Sequence, residues 1–219
     1  MSDSNTESID RQSPHDRILL GRIYCASLMS ENPSTESLAK SLCSTSKEIE
    51  RGVSELIERG LLENSSGRLV LTKIGRKRIT VVMTGGAFDI IHPGHVETLE
   101  QAKALGDVLV VSVARDATFE RNKKRKPEHN EALRQLLVSS LKAVDVAVLG
   151  SESDIFQTVE ILKPDIIALG YDQAHDEEVI SREIKQRGLT VKVVRLKSSN
   201  PDIKTTAIIS RKSGSLSGL

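Results

Sequence analysis

Thr84-Gly85-Gly86-Ala87-Phe88-Asp89-Ile90-Ile91-His92-Pro93-Gly94-His95 is the stretch whose reading decides the fold, because it joins two different periodicities. Upstream, Ile79 to Met83 is β-branched and apolar enough for a buried strand; downstream, Val96, Leu99, Ala102 and Leu105 recur at helical spacing. The paired glycines mark the turn between them. Pro93 suits the first helical position, where its missing N–H would be unpaired anyway, and Gly106 suits the position past the helix end. A helix beginning at His92-Pro93-Gly94-His95 turns unpaired N–H groups and its positive dipole end toward the turn. Two imidazoles three residues apart add donors that become cationic readily beside phosphate, given a reference pKa of about 6.5. The pattern predicts an anion site at a strand-to-helix junction.

Beyond the junction the alternation is regular. Strands are predicted at Val108 to Val113, Val146 to Leu149, Ile166 to Leu169 and Thr190 to Leu196. Helices are predicted near Asn130 to Leu141, Ile155 to Leu162, Glu177 to Arg187 and from about Thr205. Val- and Ile-rich strands separated by amphipathic helices indicate an α/β, Rossmann-like, five-stranded parallel sheet covered on both faces. Ligands of such sheets bind beyond the carboxyl ends of the strands.

Further segments should therefore converge with the junction. Ala114 to Thr118 reads as a loop followed by the basic run Arg121-Asn122-Lys123-Lys124-Arg125-Lys126-Pro127, either a solvated loop or a mobile lid over phosphate, with Lys126 as the candidate contact. Gly170 allows close backbone approach to a ligand, and Asp172 can accept from a base amino group or a ribose hydroxyl. Thr205 and Thr206 open the last helix with hydroxyls and free N–H groups suited to phosphate, beside Lys204.

Composition narrows the classes. Across 219 residues the net charge is +1, which argues against a globally basic nucleic-acid coat, and 2 % aromatics without Trp argue against a stacking platform for single strands. Cys25 and Cys43 support neither a disulfide framework nor a zinc site and read as small core residues. No apolar run approaches a membrane span, and the polar N-terminus lacks a signal-peptide core, so a cytoplasmic location and no membrane partner are expected.

Residues 1–13 read as a flexible tail, as do 213–219. Residues 14–78 read as three helices and a hairpin: Ile18, Leu19, Ile23, Ala26 and Leu28 on the first helix, Leu38, Ala39 and Leu42 on the second, and Ile49, Val53, Leu56 and Ile57 on the third. Ser44 or Thr45 with Glu48 forms a capping box for the third helix, and Asn64-Ser65-Ser66-Gly67 is turn chemistry. Lys73 to Arg78 reads as a helix-like connector. This order resembles a winged helix-turn-helix. DNA binding is the less favoured role, because the third helix carries more carboxylates than cations.

Gly86-Ala87-Phe88-Asp89 followed by His92-Pro93-Gly94-His95 resembles the signature of the nucleotidyltransferase superfamily of cytidylyltransferases, phosphopantetheine adenylyltransferase and archaeal FAD synthases. Ala87 stands where that family usually has Thr or Ser. The resemblance covers residues 79–212 and is greatest to archaeal FAD synthase, through Phe88 to His95, Val113-Ala114-Arg115-Asp116 with Arg125-Lys126-Pro127, and Ala168-Leu169-Gly170-Tyr171-Asp172-Gln173. It implies transfer of AMP from ATP to FMN, with Mg²⁺ carried on the triphosphate rather than on protein ligands. It further implies His92 and His95 as transition-state stabilisers. Nucleotide contacts are implied at Gly86, Ala87, Phe88, His92, Pro93, Gly94, His95, Lys126, Arg134, Gly170, Asp172, Thr205 and Thr206. Arg134 is otherwise a surface helix arginine paired with Glu131. A CTP-dependent enzyme acting on glycerol 3-phosphate or a similar phospho-alcohol is the alternative, and a nucleotide-sensing DNA-binding regulator is a third reading. A homodimer is compatible with each.

Overall fold

The computed structural model describes residues 13–171, 173 and 176–197. The chain packs as two units, Met1–Ile79 and Thr80–Leu219.

In the first unit, α1 (Pro14–Leu28), α2 (Thr35–Leu42) and α3 (Ser46–Glu58) precede an antiparallel hairpin of β1 (Leu62–Ser65) and β2 (Arg68–Leu71), with a short α4 (Lys73–Arg76) after it. Side-chain caps set the helix starts: Ser13 accepts from the Asp16 N–H, and Ser34 from the Ser37 N–H. Ser13, read as tail, thus caps α1. Thr45 and Glu48 form both halves of the expected capping box. The hairpin tip needs two left-handed residues, supplied by Ser66 (φ 54°) and Gly67 (φ 80°). Asn32 holds that tip by donating to the Gly67 carbonyl at 2.9 Å. Leu19, Leu20, Ile23, Ile49 and Leu56 form the fully buried centre.

Three sequence expectations change in this unit. Ile18 and Ile57 lie in solvent, because each sits at the margin of its helix's apolar arc. Cys25 is buried, whereas Cys43 is exposed: it ends α2 in a left-handed conformation (φ 50°), which turns it out of the core.

In the second unit, five strands form one parallel sheet: β3 (Val81–Gly86), β4 (Val108–Val113), β5 (Val146–Leu149), β6 (Ile166–Leu169) and β7 (Lys192–Arg195), in the order β5-β4-β3-β6-β7. Strand β4 is buried at every residue, as a strand covered on both faces should be. The connections are α5 (Pro93–Lys103), α6 (Asp116–Lys123) with α7 (Glu131–Ser139), α8 (Ile155–Leu162) and α9 (Glu177–Gln186). Val82, Leu99, Ala102, Leu109, Val111 and Val138 pack one core between sheet and helices. Chain direction across the sheet reverses at β3, so the crevice at its carboxyl end is a topological switch point. Thr84 fastens β3 to β6 beside that crevice by donating to the Ala168 carbonyl at 2.8 Å.

The basic run departs from its reading as a loop. Its first part is α6, held by Phe119, which is buried at 2 % exposure. A single large apolar anchor among charges produced no helical periodicity to read. The last predicted helix, from Thr205, lies outside the described residues. Among the described residues no helix is long and apolar enough to cross a membrane.

Candidate active site

The crevice is built on the turn between β3 and α5. Phe88 adopts a left-handed backbone (φ 50°), rare for a bulky residue, and its side chain is buried. Its ring occupies the space beside Gly86: a Cβ there would fall 2.9 Å from Phe88 Cε2, so only glycine fits under this ring. The same ring lies 5.3 Å from that of His95. His92 is the N-cap residue of α5, with extended backbone, and its carbonyl accepts from the His95 N–H at 2.9 Å. The two imidazoles stack at 3.9 Å between centroids with a 37° tilt. Both are half-buried, and in each the Nδ1 atom is inside, so the accessible part of the ring lies away from Nδ1.

Arg134 holds this turn from beneath. Its side chain is completely buried; the guanidinium donates to the carbonyls of Ala87, Ala114 (2.6 Å) and His129 (3.0 Å), and to Asp116 Oδ1 (2.8 Å). Neither sequence reading of Arg134 describes this arrangement. It presents no surface to phosphate, and Glu131 pairs instead with Arg115 at 2.7 Å. The Glu131 carboxyl also accepts from the Asp116 N–H at 2.8 Å, and this bond, then that from Arg115, holds its pKa below the ordinary carboxylate value.

Asp89, 2 % exposed, reaches the basic segment rather than the ligand space. One oxygen accepts from Arg125 Nη2 at 2.6 Å and the other from the Glu128 N–H at 2.7 Å. Lys126, between those anchors, is exposed. On the other side, Gln173 donates to the Gly85 carbonyl at 2.6 Å. Arg195 donates to the carbonyls of Gly170 and Gln173 at 3.0 and 3.1 Å and pairs with Glu177 at 2.8 Å.

The structure thus gathers Gly86, Ala87, Phe88, His92, Pro93, Gly94 and His95 in one turn; the Arg134 side chain bonds to it directly, Lys126 joins it through the Arg125–Asp89 pair, and Gly170 through Gln173. Asp172, Thr205 and Thr206 lie outside the described residues. Glu177 and Arg195 were absent from the site reading, whereas Arg115, Arg125 and Gln173 lay inside its segments without being singled out as contacts. Gln173 and Arg125 adjoin residues singled out, but nothing local distinguishes Arg195 from an ordinary strand residue. The assembly can bind an anionic oxygen chain and stabilise charge developing on phosphorus-bound oxygens.

Comparison with known proteins gives the same picture. The Cytidylyltransferase-like family model matches residues 83–211. The FAD synthase of Aciduliprofundum boonei is 59 % identical over 116 residues, which span 53 % of this chain and 77 % of that protein. The FAD synthase of Methanothrix thermoacetophila is 51 % identical over 126 residues, 58 % of this chain and 87 % of that protein. Among solved structures, a lipopolysaccharide core biosynthesis protein from Thermoplasma volcanium superposes with a TM-score of 0.53 at 49 % identity, covering 55 % of this chain and 98 % of that one.

Proposed function

The chain belongs to the Cytidylyltransferase-like family, and from that membership and its FAD synthase relatives we infer that it transfers AMP from ATP to FMN, giving FAD and pyrophosphate. The geometric observation that carries this reading is the stacked histidine pair at the first turn of α5, on the switch point of the sheet.

In the proposed mechanism a phosphate oxygen of FMN attacks the α-phosphorus of ATP in line; the new P–O bond forms as the bond to the β-phosphate oxygen breaks, and pyrophosphate leaves. The attacking phosphate is already ionised, so no general base is required. What this chain supplies is alignment and neutralisation. His92 and His95 donate to oxygens on the α-phosphorus as charge builds there, and the positive end of the α5 dipole adds to them. Arg134 and Phe88 act by holding the turn that carries them. Lys126 faces the outer phosphates, and the Gly170 segment lies toward the nucleoside. Among the described residues no group of three or more His, Cys, Asp or Glu side chains is placed to hold a metal ion. A Mg²⁺ ion carried on the triphosphate would supply charge neutralisation there.

Pyrophosphate release from ATP with FMN, measured against CTP with glycerol 3-phosphate, tests the assignment. Release in the first mixture alone is expected; release in the second alone replaces the reading with a cytidylyltransferase.

The first unit is assigned no catalytic role. On α3 the exposed Glu50, Glu55 and Glu58 outnumber Lys47 and Arg51, a mixed face poorly suited to a phosphate backbone.

A further inference from the structure

Asp89 is a carboxylate buried at the base of the signature turn, three residues before His92, and both of its oxygens are spent on a segment 36 and 39 residues further along the chain. That segment begins where α6 ends, at Lys124 in a left-handed conformation (φ 56°). The Arg125 guanidinium pairs with Asp89 Oδ2, donates through Nη1 to the Lys126 carbonyl at 2.8 Å, and lies 5.1 Å from the centroid of the buried Phe119 ring. The Glu128 N–H closes the other end on Asp89 Oδ1. Lys126 and Pro127 stand between the two anchor points. A buried carboxylate without its partner charge is strongly disfavoured, so the turn and the basic segment stabilise one another.

We propose that the Asp89–Arg125 clasp is a positioning device that fixes the basic segment over the signature turn, setting Lys126 against the β- and γ-phosphates of the bound nucleotide. This rests on the nucleotidyltransferase reading above. The basic segment is then a fixed arm, not the mobile lid that its composition suggests. A side chain tied this way loses little freedom on meeting its ligand, whereas a free arm of Lys and Arg would have to be ordered at each binding event. Asp89 and Arg125 act through Lys126 and touch no reacting atom.

Two readouts test the clasp. Trypsin can cut after Lys123, Lys124 and Arg125, whereas Pro127 protects the bond after Lys126; the clasp should keep the open sites resistant. Asp89→Asn retains the side-chain shape and removes the charge, and Arg125→Gln, on a partly exposed side chain, gives the same break with less risk to folding. Both should be cut at Lys124 at least about tenfold faster than wild type if opening of the segment controls cleavage. In calorimetric titrations both should bind ATP about tenfold more weakly, while AMP, which lacks the outer phosphates, binds within about twofold of wild type. Lys126→Ala should weaken ATP in the same way and stay resistant to trypsin. Unchanged cleavage in both clasp variants overturns the clasp as what fixes the segment. Faster cleavage with unchanged ATP affinity, or equal losses for ATP and AMP, overturns its positioning role. Wild-type binding of ATP without pyrophosphate release from ATP and FMN overturns the transferase reading alone.

Discussion

The two ends of the five-stranded sheet put charge to different uses. At the amino end, Asp107, Asp145 and Asp165 each stand one residue before a strand and accept from an amide at or next to the start of a neighbouring strand: Thr80 at 2.7 Å, Leu109 at 2.8 Å and Val81 at 2.7 Å. Each also returns its own N–H to that neighbour's carbonyl, so every carboxylate closes a two-way link between strands. At the carboxyl end the fixed charges are guanidinium groups, Arg115, Arg125, Arg134 and Arg195, each paired with a carboxylate and each also bonded to a backbone carbonyl of the loops at that end. The amino end uses charge to join strands. The carboxyl end uses it to hold the loops around the histidine pair in place.

Substitutions at the two ends should therefore separate stability from turnover. Arg134→Met gives the largest expected effect: it removes a fully buried guanidinium and the donors to the carbonyls of Ala87 and Ala114, should cost about 3 to 5 kcal/mol in denaturant unfolding, and should lower activity because the turn loses its support. An unaltered unfolding midpoint would show that the guanidinium holds nothing in place. His92→Ala comes next. Turnover should fall roughly 100-fold or more while the melting temperature stays near wild type; normal turnover would remove the histidine pair from the mechanism.

Asp165→Ala tests the opposite end. Losing its bond to the Val81 amide should cost about 1 to 3 kcal/mol of stability and leave kcat intact. A fall in kcat with stability preserved would erase the contrast between the ends. The smallest effect is in pH dependence. Because the folded pKa of Glu131 lies below its unfolded value of about 4.3, its contribution is present above that value and is lost as pH falls through the folded pKa. Glu131→Gln should accordingly flatten the loss of stability on acidification below about pH 5, with the curves compared by urea titration at each pH.

Much of this was legible in residue order. The junction at Gly86 to His95, the Val- and Ile-rich strands and the helices after them announce themselves through local periodicity, and the histidine spacing already singles out the start of α5. Asp107, Asp145 and Asp165 also share a visible pattern, Asp directly before a β-branched residue, whose meaning needs the neighbouring strand. Helix α6 escaped notice because Phe119 alone marks its buried face.

Arg134 marks the boundary between the two kinds of information. In the sequence it is one cation among several, open to phosphate or to Glu131; in the fold its acceptors at Ala87 and Ala114 lie 47 and 20 residues away, and they consume its donors. The same holds for Asp89 and Arg125, 36 residues apart. By itself the sequence determined where strand turns into helix and which chemical groups gather at that turn, because periodicity and spacing are properties of neighbours. Only the tertiary structure decided which charges are spent on holding the turn and which stay exposed, because a hydrogen-bonding group commits to whatever partner the fold brings within about 3 Å.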